Sequence, residues 1–310
     1  MSSLDNLRRL HRRDLGFGLA CGFVALLVWQ SLKALLSAAF NQEQNSHIIL
    51  VLPVIVTLLL FEPRKEGHRK TMDWTGVLLL IVTGAIDFLS SRYADELSAD
   101  RLSVSVFGVV IAWIGLAVIF YGRHVLRRRA FLVLFLFLLI PIPSVLLDQL
   151  VRALQYASTR ATQALFIATG IPVAREGYVL SLPRIDIEVA AECSGIRSSM
   201  MLLLTSLVLG HLFLASAWRQ VVLLTSTVLI TVLKNALRIY TLSMLAMYVD
   251  RSWIEGKFHH VYGGSVFFAL ALAMVLGLIQ LLRRSGRKPP DGRKIEQDEV
   301  SIAFRRTGER

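Results

Sequence analysis

Apolar residues in this chain come in long runs separated by short polar stretches, and the run lengths predict helices that cross a membrane. The first run covers about 15–40 and ends in a neutral stretch, 41–46. The second covers about 47–61 and leads into the strongly basic stretch 62–70. Runs three and four, about 74–89 and 102–121, flank a mixed segment with an acidic lean and lead to the basic stretch 122–129. Run five, 130–147, is broken by Pro141-Ile142-Pro143. Runs six, seven and eight cover about 194–214, from after Arg219 to about 240, and 259–282. The expected fold class is an all-α polytopic membrane protein of about eight transmembrane helices.

Residues 148–192 depart from that pattern. Residues 151–169 read as an amphipathic helix suited to the membrane interface, with Arg152 and Arg160 among alanines and leucines. Residues 171–177 read as a turn. Then Ile185 and Ile187 alternate with Asp186 and Glu188, the period of a short strand or hairpin. Because the alternation lies just before Cys193, residues 171–192 are expected to bind an extended peptide, by strand addition. The resulting organisation is a basic tail at 1–14, a transmembrane domain at 15–283 with an extracytoplasmic segment at 148–192, and a basic, disordered tail at 284–310.

Composition agrees: 55% of the 310 residues are hydrophobic and 18% are charged, below the roughly 25% usual in soluble domains. The net charge of +12 would suit nucleic acid if it were gathered on one surface. Instead it lies in clusters between the runs, which marks topology and contact with anionic lipids and argues against a nucleic-acid partner. Of 34 Lys and Arg residues, 22 fall in segments 1–14, 62–72, 122–129, 215–219 and 283–310. That bias puts these segments and both termini in the cytoplasm. No cleavable signal peptide is expected, because the first run is too long and other runs follow it. Two cysteines, Cys21 and Cys193, rule out a disulfide framework; Cys21, inside the first run, reads as a small core residue.

With that topology, Cys193 opens run six and His260 opens run eight, both from the outer side. Arg238 follows Arg219 by 19 residues, roughly 28 Å along a helix, and so reaches the same outer boundary. Ionisable groups inside spans are costly and point to function. A thiol, a guanidinium and an imidazole suit acyl transfer. The thiolate attacks a peptide carbonyl, the histidine moves the proton, and the arginine stabilises the oxyanion. A helix N-terminus at Cys193 favours the thiolate, Gly195 permits close backbone approach, and Ser194 supplies a cap or a hydroxyl.

Each residue also has a plainer reading. A lone cysteine at a helix end is usually a small buried residue, and an isolated arginine near a span end usually anchors in headgroups. His259 and His260 form an interfacial polar pair on that view. Being adjacent, they point to different helix faces and give no metal site; no cofactor is expected. Arg197, four residues after Cys193, rivals Arg238 as the oxyanion donor. Lys234, one turn from Arg238, extends a basic lining or pairs with a carboxylate such as Asp87.

Three motifs then occur in order: Glu192-Cys193-Ser194-Gly195-Ile196-Arg197-Ser198, Asn235-Ala236-Leu237-Arg238-Ile239 and His260-Val261-Tyr262-Gly263-Gly264. Together they resemble the exosortase/archaeosortase family of multi-pass membrane cysteine proteases or transpeptidases. Ser46-His47, Pro141-Ile142-Pro143 and Arg175-Glu176-Gly177 are also similar. The resemblance implies Cys193 as nucleophile, Arg238 as oxyanion stabiliser and His260 as general acid/base, with His260 preferred to His259 by its spacing from Gly264. Glu192, Ser194, Gly195, Arg197, Lys234, Asn235, His259 and Gly264 are the supporting or substrate-binding positions. The implied partners are exported proteins bearing a C-terminal sorting signal: a short motif, a transmembrane helix and a basic cluster. A non-catalytic transporter or a scaffold for envelope polysaccharide assembly is the competing function. A serine site of the Gly-x-Ser-x-Gly type, an aspartate pair and a zinc motif are not seen.

Overall fold

In a computed structural model, the backbone is described for residues 3–61, 73–92, 100–250, 253 and 262–285. Side chains of residues 3–12, 61, 90–92, 192, 193, 262 and 263 lie outside the description. The chain divides into two compact units, residues 1–201 and 202–310.

In the first unit, α1 (Ser3–Leu27) and α2 (Trp29–Asn41) meet at an 82° bend. The first apolar run is thus a broken helix pair. A 3-10 turn, Glu43–Asn45, leads into α3 (Ile48–Phe61). Next come α4 (Trp74–Arg92) and α5 (Arg101–Tyr121), the latter with Val106, Val109, Val110 and Val118 fully buried. Helix α5 packs against α1, α2 and α4. Its contact with α4 is a glycine crossing: a Cβ on Gly76 would stand 2.7 Å from Gly115 O and 2.5 Å from Ile119 Cγ1. Polar ties reinforce the bundle. Trp113 Nε1 donates to Cys21 O at 3.3 Å, Ser105 Oγ to Ser31 Oγ at 2.7 Å, and Tyr121 OH to Asp14 Oδ1 at 2.6 Å. Asp73 starts α4, accepting from the Thr75 hydroxyl and from Arg123 N–H, bonds that hold its carboxyl below the ordinary value.

Beyond the short α6 (His124–Arg128), the fifth run makes only α7 (Ala130–Leu136) and a 3-10 turn, Phe137–Leu139. The Pro141-Ile142-Pro143 break then turns the chain by 94° into α8 (Ser144–Ala168). Proline removes a backbone donor and restricts the residue before it, so no helix runs through this step. The amphipathic helix expected at 151–169 is real and starts earlier, at Ser144. Three short strands follow, β1 (Ala174–Glu176), β2 (Val179–Ser181) and β3 (Asp186–Glu188), in an antiparallel sheet of that order. Leu180, paired with Arg175 and Ile187, is fully buried. The expected hairpin is present, and the segment read as a turn contributes β1, because Gly177 at φ +58° closes the β1–β2 connection.

Helix α9 (Ile196–Phe213) runs from the first unit into the second, which continues as α10 (Ala217–Tyr248) and α11 (Tyr262–Arg284). Within it, Leu202, Leu223, Ile230, Ala271, Val275 and Ile279 share one buried apolar cluster. Among the described residues five helices are long and apolar enough to cross a membrane, or seven if each bent pair is one span. Trp74–Leu89 is a shorter apolar helix. The protein is a multi-pass membrane protein with a small three-stranded antiparallel sheet.

Candidate active site

Cys193 lies in a 3-10 helix, Ala191–Ser194, that joins β3 to α9. The start of this turn is tied on both sides of Val189: its N–H donates to Tyr178 O at 3.0 Å, and its carbonyl accepts from Gln155 Nε2 of α8. Gly195 ends the turn in the left-handed region, at φ +75° and ψ +19°, where a Cβ is disfavoured. Its carbonyl accepts from Ser199 N–H (2.9 Å), Ser199 Oγ (2.6 Å) and Ser198 Oγ (3.0 Å). The backbone bearing Cys193 is therefore clamped at both ends, just ahead of a helix N-terminus that favours negative charge. Ser194 is fully buried and its Oγ has no hydrogen-bond partner among the described residues. The side chains of Glu192 and Cys193 lie outside the described residues.

The face of α8 that packs on this turn is polar. Gln155, Ser158, Thr159 and Thr162 recur at helical spacing and are all buried. Thr159 and Thr162 return their hydroxyls to Gln155 O and Ser158 O, at 2.7 and 2.8 Å. The opposite face carries Val145, Leu146, Leu150 and Ile167, all exposed. Asp148, Gln149, Arg152 and Arg160 are exposed on the same helix, a mixed face that suits the membrane interface.

Arg197 and Cys193 do not lie on one continuous helix, because the left-handed Gly195 separates the 3-10 turn from α9. Its guanidinium instead pairs with Glu43 at 3.6 Å, with both side chains about 60% exposed. Glu43 opens a compact polar turn in which Asn45, Ser46 and His47 are buried. Asn45 Nδ2 donates to Gln42 Oε1 (2.7 Å), Ser46 Oγ to Glu43 O (2.8 Å), and His47 Nδ1 lies 3.0 Å from Gln44 O. The Ser46-His47 opening of the second run is thus a structural knot tied to the start of α9.

In the second unit, Arg238 belongs to a polar stripe along α10 with Thr227, Thr231, Lys234 and Asn235. Lys234 and Asn235 are buried, and Arg238 is half-buried. All three are engaged by neighbouring groups. Lower on the stripe, Thr227 Oγ1 donates to Ser206 Oγ of α9 at 3.0 Å. A headgroup anchor would sit alone on an exposed face; Arg238 sits on the buried polar side of its helix. Asp87, the carboxylate considered for Lys234, is exposed on α4. His259 and His260 lie outside the described residues. Gly264, in the first turns of α11, has no neighbour among the described residues within 4 Å of where a Cβ would stand.

Gln155 and Glu43 are the contributors that motif reading overlooks. The Gln155–Ser158–Thr159–Thr162 periodicity was the available signal for the first. For Glu43 nothing local pointed to a partner 154 residues away.

A family model described as transmembrane exosortase matches residues 29–277. No curated protein and no solved structure matches the chain.

Proposed function

This chain belongs to the transmembrane exosortase family, and on that footing we propose that it is a membrane-embedded cysteine protease or transpeptidase acting on the C-terminal sorting signals of exported proteins. Cys193 is the nucleophile, Arg238 the oxyanion stabiliser and His260 the general acid/base. The observation that carries the reading is the clamped turn of Cys193. A cysteine that was only a small buried residue would not need a left-handed glycine, a triply bonded carbonyl and a side-chain tie from α8 around it.

In this reading His260 takes the thiol proton as sulfur bonds to the peptide carbonyl carbon. The resulting oxyanion is met by the Arg238 guanidinium, whose planar fork can donate two hydrogen bonds to it. Collapse breaks the C–N bond, and the imidazolium returns its proton to the departing amine. Water or an acceptor amine then resolves the thioester on Cys193. Both termini lie in the cytoplasm and the site faces the extracytoplasmic side. A substrate anchored by its own helix arrives by lateral diffusion at fixed depth, which supplies much of the positioning. Strand β3, at the edge of the described sheet and just before the cysteine turn, offers backbone groups for an extended motif to pair with.

The test is processing of a candidate tail-anchored substrate in membranes. Wild type forms product and a trappable thioester at Cys193; Cys193→Ser, Arg238→Ala and His260→Ala each lose at least about 100-fold. Undiminished processing by Cys193→Ser, in a protein that inserts normally, overturns the reading in favour of a transport or scaffold role.

A further inference from the structure

Two arginines from different elements converge on one tyrosine at the outward corner of α8 and β1. Arg160 Cζ lies 5.8 Å and Arg175 Cζ 5.6 Å from the centroid of the Tyr156 ring. Tyr156 is 45% exposed, on the helix that also exposes Val145, Leu150 and Ile167. Arg160 donates one N–H to Tyr156 OH at 3.3 Å, and Arg175 donates one to Gly177 O at 2.9 Å. A guanidinium has five such donors, so each arginine keeps others for a ligand. Glu176, next to Arg175, points to the opposite side of β1, as neighbours in a strand do.

Two guanidinium groups thus stand within about 11 Å of each other around one ring, each with donors to spare, an arrangement that favours an anionic ligand. The surroundings say which kind: Val145, Leu146, Leu150 and Ile167 are exposed on the same helix, and the chain enters α8 through a 94° turn after the apolar helical segment Ala130–Leu139. A ligand that fits has a negative head and a hydrocarbon body.

We propose that Arg160, Tyr156 and Arg175 bind the phosphate of an anionic phospholipid whose acyl chains lie along the exposed face of α8. This goes beyond a diffuse attraction of basic segments to the bilayer, because it assigns one headgroup to one three-residue site. It does not depend on the proposed chemistry at Cys193. It does bear on that turn, since α8 packs against it, and a lipid held at this corner sets the depth of α8 in the interface.

The experiment is native mass spectrometry of the full-length protein in detergent, titrated with phosphatidylglycerol or with phosphatidylethanolamine of the same chain length. Wild type retains one phosphatidylglycerol in preference to phosphatidylethanolamine. The double substitution Arg160→Gln with Arg175→Gln loses that preference on the order of 30-fold, at an unchanged melting temperature. The single change Arg284→Gln, at an exposed basic residue ending α11, keeps it. Equal retention by the double variant, or equal loss in Arg284→Gln, overturns the proposal. So does binding of acyl-free glycerophosphoglycerol as tight as that of the lipid, which would make this a soluble-anion site. Should the double variant unfold, Tyr156→Ala serves instead and is expected to lose a measurable part of the same preference.

Discussion

Asp100 and Ser144, 44 residues apart, form one joint: Asp100 Oδ1 accepts the Ser144 backbone N–H at 2.7 Å and Oδ2 accepts its hydroxyl at 3.1 Å. Helix α8 is thus capped from the start of α5, because Pro143 at its own N-cap position has no side chain to do so. Asp100→Ala should lower stability by about 1 kcal/mol, with Asp100→Asn between it and wild type, as read by thermal unfolding in detergent. A melting temperature unmoved by the alanine change would show that the joint contributes nothing.

Gln155 reaches from α8 to Val189 O, four residues before Cys193. Gln155→Leu leaves a buried carbonyl unpaired, costing about 1–3 kcal/mol. Because the tie belongs to the cysteine turn, the rate of Cys193 alkylation should change with it, whereas a remote destabilising change such as Asp100→Ala should leave that rate nearer to wild type.

Arg197 and Glu43 are mostly exposed, so their ion pair is worth at most a few tenths of a kcal/mol. Arg197→Gln is expected to keep most processing activity, while Arg238→Gln loses at least about 100-fold. A loss in Arg197→Gln equal to that in Arg238→Gln would transfer the oxyanion role to α9.

If β3 receives the substrate as an added strand, Glu188→Pro should abolish processing, because the register turns the Ile187 N–H toward Leu180 of β2 and the Glu188 N–H toward the outer edge. Membrane insertion and Cys193 alkylation would persist. Normal processing in this variant would locate substrate recognition elsewhere.

Gly76 and Gly84 lie on the same helix and should behave oppositely. At Gly76 an added methyl meets backbone at 2.7 Å, and Gly76→Ala should destabilise by roughly 1–3 kcal/mol. At Gly84 no described residue lies within 4 Å of an added methyl, so Gly84→Ala should be neutral or stabilising by up to about 1 kcal/mol. Paired melting curves decide it.

The helices were legible because bilayer thickness imposes a length on apolar runs, and runs four, six, seven and eight reappear as α5, α9, α10 and α11. Bends were harder to read. The Pro141–Pro143 break announces itself chemically, but the 82° turn at Val28 sits among residues that are all compatible with a helix, so only packing reveals it. At the site, the Cys-Ser-Gly motif and the polar positions on α10 stand out as intrusions into greasy sequence. The ties that hold the turn do not, since Gln155, Glu43 and Asp100 are ordinary polar residues whose partners lie 34, 154 and 44 positions away. The same distance misleads in reverse for Arg197: spacing of four implies a shared face only while the helix is continuous, and Gly195 interrupts it.

Helix α10 has 32 residues, some 48 Å at 1.5 Å per residue, against a hydrocarbon layer of about 30 Å. Upright and with Ala217 at one boundary, the helix leaves roughly a third of its length clear of the oil at the far end, and Arg238, about 31 Å along, then falls near that water line. Lipid tail length then becomes a control knob. Reconstitution in thicker bilayers would drown the guanidinium and thinner ones would lift it into solvent, so turnover should peak at an intermediate acyl chain length.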